Sequence, residues 1–328
     1  MTGSRLYRRF KEFGGLRLII TFTRMGIVGT AIKAVYSCII KRNPIKAAYP
    51  KIIESVERKL SKQYKPLLVK TIEKYYAKGA VCYDQSKEVP KIIWTCWLQG
   101  YKQAPVLVKR CMASQKKNFP EYDYRLLTLE NFAEWVKLPK FILEKYRAGR
   151  IPNALFSDLI RLSVLKKYGG IWMDATVFCS GFGHENLRSR WDKIEKNDLT
   201  LFRFFIRGQK QPVGLSNWFI AAKPQHVVIS TVFDMLLAYW RDYDCTVDYF
   251  IMHLFLDMTF KAMPETIAEM PRENSYHSLM LASVLSKPYN DEWWQDVKAH
   301  VFIHKLNYRK ETEAAKVHNS FYNRIINP

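Results

Sequence analysis

The segment from Asn153 to Phe178 constrains the fold more than any other part of the chain. Apolar residues recur at helical spacing as far as Lys167, two glycines follow, and apolar and polar residues then alternate as in a strand. Asn153 is a suitable N-cap, and Gly169 stands where a helix often ends in a left-handed residue. The pattern predicts a helix, a glycine break and a strand, which is the alternation typical of an α/β domain with a mainly parallel sheet.

Charged residues occupy defined positions within this pattern. Asp158 and Arg161 are three apart, so their side chains share one helix face. In a continuous strand Asp174 and Thr176 would point the same way. Each feature alone is also what a surface ion pair or a strand-end turn gives. Their order within one short stretch favours a polar site beside the end of the strand.

Four blocks of the sequence resemble one group of enzymes. Residues 168–176, Tyr-Gly-Gly-Ile-Trp-Met-Asp-Ala-Thr, resemble the Y-G-G-x-Y-x-D-x-D segment of GT-A glycosyltransferases related to the capsular polysaccharide synthesis proteins. Residues 157–161, Ser-Asp-Leu-Ile-Arg, are similar to their S-D-I/L-x-R helix, and residues 89–100 to their opening strand, I-P-K-x-I-H-x-x-W-x-G. Residues 216–224 resemble their acceptor-side segment. The wider relatives are the glycosyltransferase family 32 mannosyltransferases and the large clostridial glucosylating toxins.

The resemblance implies an architecture and an activity. It predicts a GT-A, Rossmann-like nucleotide-sugar-binding domain at 88–310, preceded by a basic helical segment at 1–87 and followed by a tail at 311–328. It implies transfer of a hexosyl group from a nucleotide sugar, with UDP favoured over GDP, to a saccharide acceptor. We expect a lipid-linked acceptor, a capsular or exopolysaccharide product and retained anomeric configuration. An inactive copy that scaffolds a polysaccharide assembly complex is the alternative.

The resemblance also assigns candidate roles to single residues. Asp158 and Arg161 resemble the pair that contacts the donor sugar, and Arg161 is able to balance developing diphosphate charge. Asp174 is expected to hold the ribose or the metal shell. The donor-binding candidates are Trp97 (stacked on the base, or packed in the core), Gly169, Gly170, Thr176 and Lys305, and the acceptor-side candidates are Asn217, Trp218 and Asp248.

The metal site departs from the motif of the related enzymes. Thr176 stands where the second carboxylate of D-x-D would bind Mn²⁺ or Mg²⁺, and a neutral hydroxyl is a weaker ligand for a hard cation. A divalent cation is expected, but three arrangements stay open: weak metal binding assisted by the diphosphate, another protein ligand, or catalysis without metal. His304 is a candidate ligand beside Asp174, and Lys305 could neutralise phosphate directly. A strand-end histidine without a catalytic role is the alternative for His304.

The positive charge of the chain is concentrated at its N-terminus. The net charge is +22, and residues 1–88 hold 19 Lys and Arg against 6 Asp and Glu. The apolar stretch 16–40 is interrupted by Arg17, Arg24 and Lys33, so it lacks the roughly 20 apolar residues of a membrane span. It does not resemble a secretory signal either. We expect amphipathic helices on an anionic membrane surface, at the cytoplasmic face of the plasma membrane, or a helical pair packed on the catalytic domain.

Nucleic-acid binding is the other use that a basic, aromatic-rich chain suggests. The sequence contains no zinc knuckle, no RNP-like strand pair and no Arg/Gly repeat. Its aromatic residues fall within apolar runs, where burial is the ordinary explanation. Its 6 cysteines form no C-x-x-C pair, which suits reduced thiols in the cytosol. We therefore expect no nucleic-acid partner.

Overall fold

The computed structural model describes residues 15–33, 49–77, 88–204 and 214–327 of the chain. The chain forms two compact units, one from Met1–Gly79, Leu138–Leu159 and Ser230–Ala262, the other from Ala80–Lys137, Ile160–Ile229 and Met263–Pro328. All described strands belong to the second unit. The N-terminal segment therefore groups with two later parts of the chain, and the domain boundaries at 88 and 310 stay a prediction.

Helices account for most of the described residues. Their bounds are α1 Leu16–Arg24, α2 Tyr49–Ala77, α3 Val106–Asn118, α4 Phe132–Trp135, α5 Lys140–Arg147, α6 Asn153–Tyr168, α7 Glu185–Lys196, α8 Val227–Asp242, α9 Ile251–Ala262, α10 Pro264–Glu269, α11 Ser275–Val284, α12 Asp291–His300, α13 Glu311–Ala315 and α14 Phe321–Ile326. The predicted helix at 153–167 is confirmed as α6. The helices α4 and α5 stay separate, because Pro139 removes a backbone donor and disfavours helical geometry at Leu138.

The strands form one large and one small sheet. Their bounds are β1 Ile92–Cys96, β2 Asp123–Leu127, β3 Gly170–Met173, β4 Val177–Cys179, β5 Leu199–Phe204, β6 Gly214–Ala222 and β7 Ile303–Lys305. The five-stranded sheet has the order β2-β1-β3-β6-β5. β1 is parallel to β2 and β3, whereas β6 is antiparallel to β3 and β5. All its strands except β6 therefore run the same way, which confirms the predicted mainly parallel sheet.

The small sheet corrects one prediction about the Asp174 strand. A continuous strand through Phe178 was expected, but β3 ends at Met173 and a turn follows, in which the Val177 N–H donates to the Asp174 carbonyl at 2.9 Å. The chain then enters β4, which pairs antiparallel with β7. The Gln115 amide stabilises the turn by donating to the Asp174 and Val177 carbonyls at 3.0 and 2.8 Å. A buried side chain distant in sequence thus ends the strand.

The two glycines after α6 allow close packing of backbone against backbone. Gly169 has φ of +66°, and its N–H donates to the Leu165 carbonyl at 2.9 Å, so the predicted left-handed helix end is confirmed. A Cβ on Gly169 would lie 2.7 Å from the Pro224 nitrogen, and one on Gly170 would lie 2.7 Å from the Ile92 carbonyl oxygen. The close approach that these residues permit is thus to neighbouring backbone at the start of β3.

The N-terminal helices of the first unit differ in how they are packed. Along α2 the buried side chains recur every three or four residues, and Tyr64 donates a hydrogen bond of 2.7 Å to Asp242. Leu16 on α1 is instead 73% exposed and Ile20 is 59% exposed. Thus α2 packs against other parts of the first unit, and α1 keeps an apolar surface. Among the described residues, none of the helices has the length and apolar character needed to cross a membrane.

Candidate functional site

A carboxylate at the end of β3 is surrounded by three side-chain donors. Asp174 Oδ1 accepts from Arg161 Nη2 and from Trp172 Nε1, both at 2.9 Å. Its Oδ2 accepts from Lys305 Nζ at 2.7 Å. The side chain of Arg161 is only 5% exposed, whereas those of Asp174 and Lys305 are 24% and 23% exposed. The site therefore combines a buried cation with a carboxylate and a second cation that solvent still reaches.

Each donor reaches Asp174 from a different part of the second unit. Arg161 projects from α6, and its guanidinium carbon lies 4.7 Å from the centre of the Trp172 ring. Trp172 precedes Asp174 by two residues, so its indole lies on the same side of the extended chain. Lys305 ends β7 and pairs in register with Val177. The backbone N–H of Asp174 is fixed by the Trp218 carbonyl of β6 at 2.9 Å.

The electrostatics keep Asp174 ionised. Its burial alone would raise the pKa of the carboxyl, but the charges of Lys305 and Arg161 and the hydrogen bonds from Lys305 and Trp172 lower the pKa below its ordinary value. Lys305 Nζ also lies 2.5 Å from Thr176 Oγ1. The cluster thus holds two cations and one carboxylate, so its net charge is positive and suits an anionic group.

The structure brings four of the predicted site residues together: Arg161, Asp174, Thr176 and Lys305. Trp97 is close to them, because it packs in the same apolar cluster as Ala175 and makes an edge-to-face contact with Tyr308 at 5.4 Å. Its side chain is half-buried. Base stacking and core packing therefore both stay open for Trp97.

His304 is directed away from this cluster. It is fully buried, its Nε2 lies 2.9 Å from Ser180 Oγ, and its ring packs against Phe178 and Trp294. Ser180 Oγ also lies 3.3 Å from the Val301 carbonyl, so the hydroxyl links the His304 ring to the backbone. Burial lowers the pKa of His304 to about 3. The structure therefore does not place His304 beside Asp174 as a metal ligand.

The remaining candidates are distributed around the two units. Trp218 is 6% exposed and packs its ring 4.6 Å from that of Phe202, so its link to the site is the carbonyl that binds Asp174. Asn217 is the half-buried neighbour of Trp218 on β6. Asp158 is buried on α6. Asp248 belongs to the first unit, where its Oδ1 accepts from the Phe250 N–H at 3.0 Å.

Two contributors to the site have no role in the sequence prediction. The Trp172 indole could have been inferred, since a residue two before Asp174 in a strand faces the same way. Gln115 had no such signal, because it lies on α3, 59 residues before Asp174. Tyr124 donates to Gln115 Oε1 at 3.1 Å and thereby orients the amide that stabilises the turn.

The side chains around Asp174 do not fit a divalent cation. The residues that the structure describes contain no group of three or more His, Cys, Asp or Glu side chains able to hold a metal ion. Asp174 offers one carboxylate whose oxygens already accept from two cationic side chains, and Thr176 offers a neutral hydroxyl. Mn²⁺ and Mg²⁺ prefer several oxygen ligands and negative charge.

A separate cavity of about 670 Å³ lies within the second unit. Its wall includes Phe178, Ser180 and Trp294, the three residues in contact with His304, together with the basic side chains Arg110, Lys117, Lys298 and Arg324. None of the residues predicted from the sequence to form the site lines this cavity.

The chain is similar to a protein family, to a fungal enzyme and to a solved structure. The model of a family described as "Capsular polysaccharide synthesis protein" matches residues 45–325. An "O-glycosyltransferase braB" from Annulohypoxylon truncatum is 28% identical over 162 residues, which span 46% of this chain and 38% of that protein. A solved structure, "PaToxG Glycosyltransferase", is 13% identical with a TM-score of 0.40, covering 83% of this chain and 98% of that one.

Proposed function

Since this chain belongs to the capsular polysaccharide synthesis protein family, we propose that it is a glycosyltransferase using a nucleotide-sugar donor. The observation that carries the proposal is the cluster at the end of β3, where Asp174 is held between Arg161 and Lys305. Ligands of α/β sheets commonly bind at the carboxyl ends of the strands. Two cations at that position complement a diphosphate, and the similarity to an O-glycosyltransferase supports the same reaction class.

The proposed reaction breaks the bond between the anomeric carbon of the sugar and an oxygen of the diphosphate. The electron pair leaves with the nucleoside diphosphate, a bond forms between the anomeric carbon and an acceptor hydroxyl oxygen, and the hydroxyl proton passes to the departing diphosphate. Negative charge on the leaving group grows in the transition state. Preorganised cations stabilise such charge, and removing one donor of this kind commonly costs about 10²- to 10³-fold in rate.

The residues in and beside the cluster would each contact a different part of the donor. Arg161 and Lys305 would neutralise the diphosphate, and Asp174 would hold these cations in place and accept a hydroxyl of the donor. Trp97, half-buried beside Ala175, would stack on the nucleotide base, which we propose to be uracil. Retention of anomeric configuration and a hexosyl donor complete the proposal, on the grounds of the resemblance in residues 168–176.

The acceptor is proposed to be a saccharide carried by a membrane lipid. The family description supports a polysaccharide product, and the exposed side chains of Leu16, Ile20 and Ile32 support contact with a membrane surface. Arg17 and Lys33 lie on the same exposed stretch and would favour anionic lipid. We propose a peripheral location at the cytoplasmic face of the plasma membrane.

Calorimetric titration with UDP, GDP and their common sugars, followed by an assay of nucleoside diphosphate release, tests the proposal. We expect one nucleotide to bind and its sugar form to turn over when a saccharide acceptor is added. Binding without release of the sugar would indicate a scaffold of the same fold. Absence of binding to every nucleotide, with a folded protein, would contradict a donor site at Asp174.

A further inference from the structure

We propose that the ammonium group of Lys305 occupies the position and role of a divalent cation, so that the donor diphosphate binds without metal. This inference rests on the proposed function. Lys305 Nζ lies 2.7 Å from Asp174 Oδ2 and 2.5 Å from Thr176 Oγ1. By the resemblance of residues 168–176, these two side chains stand at the two D positions of the D-x-D motif. A single positive charge therefore bridges the groups that would otherwise share a metal.

The charges around Asp174 oppose a second, divalent cation. Arg161 already binds Oδ1 at 2.9 Å, and Lys305 binds Oδ2. Charges of like sign a few ångströms apart repel each other, and the repulsion from a divalent ion is twice that from a univalent one. One carboxylate and one hydroxyl would have to offset the repulsion from both side chains. The local charge balance thus favours the organic cation over the metal.

The substitution of threonine for the second carboxylate is chemically matched to a lysine. Two carboxylates beside one ammonium would leave an excess negative charge at the position where a diphosphate has to bind. A hydroxyl instead accepts one N–H of Lys305 and adds no charge. Thr176 and Lys305 therefore form a complementary pair, as two carboxylates and a divalent metal do in the usual motif.

Lys305 keeps a donor for an incoming ligand. An ammonium group has three N–H donors, and the contacts of Lys305 among the described residues use two of them, toward Asp174 and Thr176. Its side chain is 23% exposed, so a phosphate oxygen can approach the third. A charge-assisted hydrogen bond of this kind is about twice as strong as a neutral one.

The first test is calorimetric titration of the full chain with UDP after EDTA treatment and again with added Mn²⁺. We expect the two dissociation constants to agree within about twofold. UDP binding that requires Mn²⁺ would overturn the inference and leave the proposed function standing. UDP and GDP binding absent under both conditions would instead count against the proposed function itself.

The second test removes the ammonium group of Lys305 and then provides a second carboxylate for a metal ion in its place. Lys305→Gln should weaken UDP binding at least tenfold in EDTA, and Lys305→Arg should restore most of it, because the charge returns. The double variant Thr176→Asp with Lys305→Gln provides two carboxylates and no ammonium, so its UDP binding should become dependent on Mn²⁺. Binding by Lys305→Gln equal to wild type in EDTA would show that the lysine is only a structural partner of Asp174.

A matched control separates this effect from a general loss of positive charge. Lys298 is half-buried in the same unit and lines the separate cavity instead of the Asp174 site. Lys298→Gln should therefore leave UDP affinity unchanged. Thermal unfolding of every variant, followed by circular dichroism, identifies those that fail to fold, and a folded Lys305→Arg variant keeps the comparison informative if Lys305→Gln is unstable.

Discussion

His304 and Lys305 are neighbours on β7, yet their side chains occupy opposite chemical environments. Lys305 binds Asp174 and Thr176 at a polar, partly exposed cluster. His304 is fully buried, and its ring packs against Phe178 and Trp294. Successive residues of a strand point to opposite faces, so one short strand separates a charged site from an apolar interior.

The difference teaches that residue type alone does not identify a ligand. Histidine is a common metal ligand, and the sequence made His304 a candidate beside Asp174. Its fully buried ring instead forms a hydrogen bond with Ser180. Lysine is not a metal ligand in this setting, yet Lys305 is the residue that reaches both Asp174 and Thr176. Strand register decides which of the two faces the site.

Asp174→Asn should have the largest effect, because it removes the carboxylate of the charged cluster. Loss of the carboxylate leaves Arg161 and Lys305 without their shared anion, so we expect sugar transfer to fall by about 10²- to 10³-fold. Stability should decrease by about 2 kcal/mol, since hydrogen bonds to a charged group are lost. Initial rates of nucleoside diphosphate release and thermal unfolding measure the two effects. Asp123→Asn, at an exposed residue at the start of β2, is the control, and equal rates in wild type and Asp174→Asn would refute the assignment.

His304→Ala should affect only the apolar side. The substitution removes a buried ring and its hydrogen bond with Ser180, so the free energy of unfolding should fall by about 2–3 kcal/mol. UDP affinity should stay within about twofold of wild type. Chemical denaturation and calorimetry measure these quantities. A tenfold loss of UDP affinity at unchanged stability would place His304 in the donor site after all.

As the pH is lowered, protonation of buried histidines should destabilise the fold before Asp174 becomes protonated. Burial lowers the pKa of His304 to about 3 and that of His226 to about 4, from an ordinary 6.5. Below pH 6.5 these histidines bind protons in the unfolded chain but stay neutral in the folded chain. The free energy of unfolding therefore decreases as the pH falls from 6.5 toward 4, by up to about 1.4 kcal/mol per pH unit for each histidine.

The lowered pKa of Asp174 adds a loss of stability only at lower pH, because its contribution is present above the ordinary value of 3.8. Denaturant unfolding between pH 7 and 4.5 measures the histidine effect above the pH range in which Asp174 titrates. His304→Ala should show a shallower slope than wild type over this range. Parallel slopes for the two proteins would mean that His304 does not titrate between the folded and unfolded states as its burial requires.

Trp172→Phe should produce the smallest effect on the charged side. The ring stays beneath Arg161, but Asp174 loses one N–H donor worth about 1 kcal/mol. We expect UDP affinity or turnover to fall about threefold to tenfold. Trp191→Phe removes an indole hydrogen bond to Tyr122 in the core and is the matched control, with a comparable change in stability and unchanged UDP affinity. An effect on affinity equal in both variants would indicate a general loss of stability.

The sequence predicted those parts of the site that depend on local order. The helical spacing that ends at Gly169 defined α6, and the alternation after it predicted the strand β3 that leads to Asp174. Lys305 follows Asp174 by 131 residues, and its place at the site was only a candidate role from the resemblance. The Gln115 clamp had no local signal, because its partners are backbone carbonyls that any sequence provides.

The sequence by itself determined that this chain folds as an α/β domain with a polar site after a glycine-ended helix. Periodicity and glycine are local properties of the backbone, so they can be read without knowing distant contacts. Only the tertiary structure decided that β3 stops at Met173, that Lys305 faces Asp174, and that His304 turns toward Ser180. These outcomes depend on strand pairing and on the burial of charge, which arise when remote parts of the chain meet.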